Sequence, residues 1–197
     1  MSSFKGEVKD WVVSILVAVV LALIIRTFIV ELYVVDGPSM RPTLESHERL
    51  VVNKFIYSIR PPKKNEILVF QYPRDKSRDF IKRVIATPGD TIEISKGRVL
   101  VNDQVLNEDY ILETTRSEYP KSTVPAGTVF VMGDNRNNSE DSRFADVGFV
   151  PYDLIKGKVD ENIIQLRVLA GRRRNEVREH LIPIGCGKLS FLHSYPP

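Results

Sequence analysis

Thr91-Ile92-Glu93-Ile94-Ser95-Lys96-Gly97-Arg98-Val99-Leu100-Val101 is the stretch that sets the fold class. Two short runs flank Lys96-Gly97, a two-residue connection that reads as a compact hairpin. The same texture extends both ways along the chain. Upstream, residues 49–55 are rich in branched side chains, and the polar loop Arg60-Pro61-Pro62-Lys63-Lys64-Asn65 breaks the chain after them. Residues 66–72 read as a second strand closed by Pro73, and residues 79–86 as a third closed by Pro88-Gly89-Asp90. Downstream, Val124-Pro125-Ala126-Gly127 is a turn before a strand over 128–132. Many short strands with Pro and Gly punctuation predict a mainly β domain, an antiparallel sheet that is barrel-like or folded as a sandwich. There is no internal repeat and no low-complexity tract.

The N-terminus has a different character. Residues 11–25 are apolar except for Ser14; Arg26 and Thr27 interrupt, and Phe28-Ile29-Val30 continue the run. A spanning helix needs roughly 20 apolar residues, a length reached if Arg26 snorkels to the interface. Trp11 and Tyr33 are suited to interface anchors. A cleaved secretory leader would need a small-residue site soon after the apolar core, and Arg26-Thr27-Phe28-Ile29-Val30-Glu31-Leu32-Tyr33 offers none. A buried soluble helix would show a polar face, which residues 12–25 lack. One N-terminal transmembrane helix is therefore expected. Lys5 and Lys9 precede it, a bias that favours the tail inside and the domain outside.

The whole chain has 197 residues, 43% hydrophobic and 27% charged, so the chain beyond the helix is one globular domain with a sizeable core. A net charge of +3 is too small to imply a nucleic-acid partner. Much of the excess sits in a C-terminal cluster, Arg167, Arg172, Arg173, Arg174 and Arg178, which reads as a solvated basic tail. The single cysteine, Cys186, makes no internal disulfide and excludes a Cys-based zinc site.

Three segments carry groups suited to chemistry. On a strand over 79–86, Phe80, Lys82, Val84 and Ala86 share one face by period two, so Lys82 is the polar member of an apolar face. Removing an ammonium from water favours its neutral form, and such a lysine becomes a base near neutral pH; a stem lying along an edge with its head in water is the alternative. Arg83 has no such option, because guanidinium does not deprotonate in proteins. Ser39, in Asp36-Gly37-Pro38-Ser39-Met40-Arg41-Pro42-Thr43-Leu44, is a hydroxyl nucleophile in search of a base. The histidines His47, His180 and His193 have no Ser-His-Asp signature around them. Ser-Lys is the pairing that remains. Backbone N–H groups near Gly37 would face a developing oxyanion, although turn chemistry alone also accounts for Gly-Pro-Ser. The third segment, Gly133-Asp134-Asn135-Arg136-Asn137-Asn138-Ser139-Glu140-Asp141-Ser142-Arg143, holds acids and arginines suited to bidentate pairing. It lacks the terminal glutamate of a calcium loop, and no metal is expected there.

In this order, the helix, the Ser39 segment, Lys82-Arg83-Val84-Ile85-Ala86-Thr87-Pro88-Gly89-Asp90 and the 133–143 segment resemble type I signal peptidase, the membrane-anchored serine protease family that removes signal peptides. The likeness covers roughly residues 11–158. It implies Ser39 as nucleophile and Lys82 as general base, Ser139 orienting the lysine amine, and Asp141 with Arg143 in a supporting salt bridge. Some relatives carry an oxyanion-hole serine two positions before the nucleophile; Gly37 stands there, leaving the Ser39 N–H, aided by Gly37, to serve. The implied organisation is a cytoplasmic tail (1–10), a transmembrane helix (11–30), a β-rich catalytic domain (31–158) and a basic C-terminal tail (159–197). Relatives close with a strand soon after 155–158, and residues 159–197 depart from that pattern. The implied partners are preprotein signal peptides, cut after small residues at Ala-x-Ala-like sites, and membrane lipid, against which Phe28, Ile29, Leu32, Tyr33 and Met40 would rest. No cofactor, metal or nucleic acid is implied. The location is a cell membrane or an organelle membrane of bacterial origin, with the domain on the outer face. A self-cleaving repressor-type protease would need a DNA-binding segment where this chain has the apolar helix. A non-catalytic membrane-anchored β module that binds peptides, and an inactive relative altered at its C-terminus, are the other readings.

Overall fold

The computed structural model describes residues 2–160, with side chains from residue 8 onward apart from 24–26. The basic C-terminal tail and the Arg26 side chain lie outside the described residues. Helix α1 runs Ser2–Ile24 and passes into one π-helical turn, Ile25–Ile29. It starts at Ser2, so most of the expected tail is a continuation of the helix. Val8–Ile29 is long and apolar enough to cross a membrane; at 1.5 Å per residue it is about 33 Å long, against a hydrocarbon core of about 30 Å. Trp11, Leu16, Leu21 and Leu23 are all exposed. An apolar helix that gives nothing to the core differs from a soluble core helix, which hides its apolar stripe.

The rest is strand. In chain order these are β1 (Val30–Val34), β2 (Arg49–Asn53), β3 (Ile67–Tyr72), β4 (Asp75–Ala86), β5 (Thr91–Ser95), β6 (Arg98–Val101), β7 (Gln104–Val105), β8 (Tyr119–Thr123), β9 (Thr128–Met132), β10 (Val150–Pro151) and β11 (Ile155–Val159), with a short helix α2 at Ile56–Ile59. They form a seven-stranded sheet, β1-β2-β11-β3-β4-β9-β10, and a four-stranded sheet, β7-β6-β5-β8. The mainly antiparallel β class is as expected; the pairings are antiparallel throughout. The β5–β6 hairpin turns on Lys96 (φ 51°) and Gly97 (φ 76°), both left-handed as a two-residue turn between twisted strands requires.

The pair β4–β9 partitions two cores. Val84, Val129 and Val131 face a cluster with Leu68, Phe70 and Val150. Ile85, Phe130 and Met132 face the other, with Ile92, Ile94 and Val99 from the small sheet. A register shift between Val84 and Ala86 corrects the period-two reading: Ala86 joins the second cluster with Ile85, not the face of Lys82 and Val84. An extra residue in one strand turns the following side chains over.

Other boundaries differ from the sequence reading as well. Only Val30 of residues 30–34 belongs to the expected span; all five form β1, whose backbone pairs with β2. β4 begins at Asp75 rather than 79, and its charged, exposed start is a solvated ribbon. Ile155–Val159 is itself a sheet strand, inserted between β2 and β3. Met40 is 1% exposed and belongs to the interior rather than to a lipid-facing surface, whereas Phe28, Leu32 and Val34 stand exposed.

Candidate active site

Ser39 sits in the turn after β1, where His47 N–H donates to the Val35 carbonyl (2.8 Å) and Leu44 N–H to that of Met40 (3.0 Å). Buried Met40 and Leu44 anchor the turn from within. Its outer side is held by the chain beyond β9: Asn135 donates its backbone N–H to the Ser39 carbonyl (3.0 Å) and its side-chain amide to that of Pro38 (3.1 Å). Gly133 makes this approach possible, since a Cβ there would collide with the Ser39 carbonyl and the Ser139 hydroxyl.

Lys82 reaches the serine from β4, with Nζ 2.9 Å from Ser39 Oγ and 5.1 Å from the Phe80 ring centroid. The lysine is 4% exposed. Burial pushes its pKa down from 10.5 to about 8, against the pull of the Asp141 and Glu140 carboxylates. Folded Lys82 loses its proton near pH 8 and the unfolded lysine near 10.5, so the unfolded state binds more protons between those values. The stability penalty, about 3 kcal/mol, is full below pH 8, shrinks as pH rises and vanishes above 10.5.

The other predicted residues fall nearby, with two differences. Arg143 pairs bidentately with Asp141, Nε to Oδ1 at 2.7 Å and a terminal nitrogen to Oδ2 at 2.8 Å. Ser139 donates to Asp141 Oδ2 (2.7 Å) rather than to Lys82, and Gly133 N–H donates to the same oxygen (3.0 Å). A charged carboxylate is the stronger acceptor, and Ser139 makes no hydrogen bond to Lys82, whose amine bonds to Ser39. Gly37, at φ +94°, gives its N–H to the Ser46 hydroxyl (3.0 Å); it shapes the turn and is not a free oxyanion donor here. The Ser39 N–H makes no hydrogen bond among the described residues. His47 is exposed, away from any role as base, and His180 and His193 lie outside the described residues.

Sequence reasoning missed a buried support behind Lys82. Arg83, on the opposite face of β4, pairs with Asp134 through Nε (2.9 Å) and a terminal nitrogen (2.7 Å). Thr43 donates to the same carboxylate (2.5 Å), and the Tyr110 ring stacks on the guanidinium at 4.2 Å. Both partners stood next to noted residues, Lys82 and Gly133, but a contact across 51 positions leaves no local signal.

Ser39 and Lys82 open into a cleft of about 380 Å³, walled by Tyr33 to Asp36 on one side and Arg78 to Ile81 on the other. β1 is the edge of its sheet. β4 pairs with β9 only from Arg83 onward, so its stretch before Lys82 also has an unpaired edge. Among the described residues no group of His, Cys, Asp and Glu side chains is placed to hold a metal ion.

A hydroxyl 2.9 Å from a buried amine, in an open cleft between strand edges, has the geometry that a nucleophile and base would need. The sequence profile described as signal peptidase, peptidase S26, matches residues 8–164, and the chain belongs to that family of peptidases. It is 45% identical over 157 residues to a probable signal peptidase I-1 of Synechocystis sp., covering 76% of this chain and 79% of that one. It is 43% identical over 160 residues to a signal peptidase I of Leptolyngbya laminosa, covering 78% of each. A crystal structure of a signal peptidase I from Enterococcus faecalis matches 52% of this chain and 99% of its own at 32% identity, with a TM-score of 0.46.

Proposed function

We propose that this chain is a membrane-anchored serine endopeptidase that removes signal peptides from exported preproteins, with Ser39 as nucleophile and Lys82 as general base. The observation that carries the reading is the 2.9 Å contact between Lys82 Nζ and Ser39 Oγ, made by a lysine whose burial favours the neutral amine. Neutral Lys82 takes the Ser39 proton as Oγ attacks the scissile carbonyl. The Ser39 N–H faces the developing oxyanion. The lysine then gives its proton to the leaving amine, which departs with the mature chain and leaves an acyl-serine. Water, deprotonated by the same amine, attacks the ester and restores the serine. Asp141, held by Arg143 and Ser139, supports the site electrostatically. The substrate enters as an extended strand between the unpaired edges of β1 and β4, presenting small residues beside Ser39. The helix anchors the enzyme with its N-terminus inside and the domain on the outer face.

The test is incubation of a preprotein with the detergent-solubilised full chain and mass mapping of the products. One cut after a small residue is expected; no cut, or cuts scattered elsewhere, overturns the reading. The pH profile gives a second test. At pH 7 about a tenth of a lysine titrating near 8 is neutral, against about four in ten thousand for an ordinary one. The kcat/KM for preprotein cleavage rises about tenfold per pH unit below 8 and levels off above it. A profile still climbing steeply at about pH 10 would match an unperturbed lysine and a non-catalytic β module better.

A further inference from the structure

We infer that Thr115 and Ser117 are positioning residues for the reaction: their hydroxyls hold the Arg143 guanidinium against Asp141 and so set how strongly that carboxylate acts on the Lys82 amine. This rests on the peptidase reading. Both residues lie in the segment 106–118, which joins β7 to β8. Glu108 of that segment accepts from Arg136. Asn137 accepts from the Arg116 N–H (2.9 Å) and donates to the Thr114 carbonyl (3.0 Å), so the segment is tied along the chain that carries Asp141. Arg143 has five N–H groups, and each has an acceptor. Two go to Asp141 and one to the Arg136 carbonyl (2.7 Å). The other two, on one terminal nitrogen, go to Thr115 Oγ1 and Ser117 Oγ, each at 2.9 Å. The two hydroxyls lie 2.8 Å apart, and the Ser117 N–H donates to Thr115 Oγ1 (3.3 Å), so each is held by the other. Thr115 and Asp141 are buried. A guanidinium with every donor used has one orientation. With two buried donors unmet it turns toward water, and its grip on the carboxylate loosens.

Among the charges around Lys82, Asp141 acts most strongly: it favours the ammonium, and Arg143 opposes it. Glu140 and Asp134 act in the same sense as Asp141, but Glu140 bonds to Tyr72 and Asp134 to Arg83, and neither bonds to the two hydroxyls. Asp36, Arg78 and Asp79 line the cleft on other elements. Removing the hydroxyls therefore changes one pair of charges. Arg143 cancels less of Asp141, the ammonium gains, and less of Lys82 is neutral at a given pH.

The experiment measures kcat/KM for preprotein cleavage against pH in the detergent-solubilised full chain and in a double variant, Thr115→Val with Ser117→Ala, which removes both hydroxyls with little change of shape. In the double variant the pH at which kcat/KM levels off is expected to move up by about one pH unit, the lower end of what a nearby charge exerts. The loss is then about tenfold at pH 7 and shrinks to about twofold or less at pH 10. Thr115→Ser with Ser117→Thr keeps both hydroxyls and restores the parent profile. A uniform loss at every pH, or a levelling-off that does not move, overturns the positioning role alone. Should the double variant not fold, Ser117→Ala carries the same test, with about half the displacement expected. No cleavage by the parent overturns the peptidase reading and the positioning role with it.

Discussion

Ser39→Ala and Lys82→Met each abolish preprotein cleavage, lowering kcat/KM by roughly 10⁴-fold or more, and the double variant is little worse than either single one. Residues that act as one unit lose their shared effect at the first removal. The 2.9 Å contact makes Ser39 and Lys82 such a unit. Lys82→Arg is equally inactive, because a guanidinium keeps its proton. Stability separates this loss from misfolding. Lys82→Met removes a buried amine whose depressed pKa works against the fold below pH 8. Thermal unfolding at about pH 7 is therefore expected at a higher temperature in Lys82→Met than in the parent. Residual cleavage within about tenfold of the parent in any of these variants would break the assignment of the pair.

The second large effect is structural and acts at a distance. Asp134→Ala leaves the Arg83 guanidinium, 6% exposed, buried without its carboxylate. Breaking a buried pair by removing one partner costs about 3–5 kcal/mol, which for a domain of this size lowers the unfolding temperature by roughly 10–15 °C. The same carboxylate accepts from Thr43 in the turn that carries Ser39, so cleavage falls along with stability. Replacing both partners, in Arg83→Met with Asp134→Leu, recovers much of the lost stability, since no unpaired charge is then buried. Equal unfolding temperatures in Asp134→Ala and the parent would show that the pair contributes nothing to the fold.

The two sites of change differ in how visible they are from sequence. Ser39 and Lys82 stand in segments whose local grammar is strong: a Gly-Pro-Ser turn, and a lysine alternating with apolar residues. Periodicity put Lys82 on the same face as Phe80 and Val84, and the Phe80 ring does lie beside its amine. The pattern failed one step later, at Ala86, where a register shift turns the strand over. Strand β1 was hidden for a related reason. Val30 to Val34 prolongs an apolar helix with only Glu31 to break it, and hydropathy has no means of marking where a helix becomes a strand.

Hydrogen-bond partners were the least legible. Ser139 is chemically able to orient a lysine, and Gly37 to donate to an oxyanion, yet Ser139 donates to Asp141 and Gly37 to Ser46. Each polar group goes to the acceptor that the fold brings nearest, and a sequence names the groups without ranking their distances.

By itself the sequence determined the properties that depend on neighbours along the chain: an apolar N-terminal helix, a β-rich domain after it, and a serine and a lysine in segments able to act as nucleophile and base. Only the tertiary structure decided which groups meet. It brought Lys82 to Ser39 across 43 positions and Arg83 to Asp134 across 51. The physical reason is that alternation and turn chemistry act over a few residues, whereas burial and pairing depend on strands that the chain brings together from far apart.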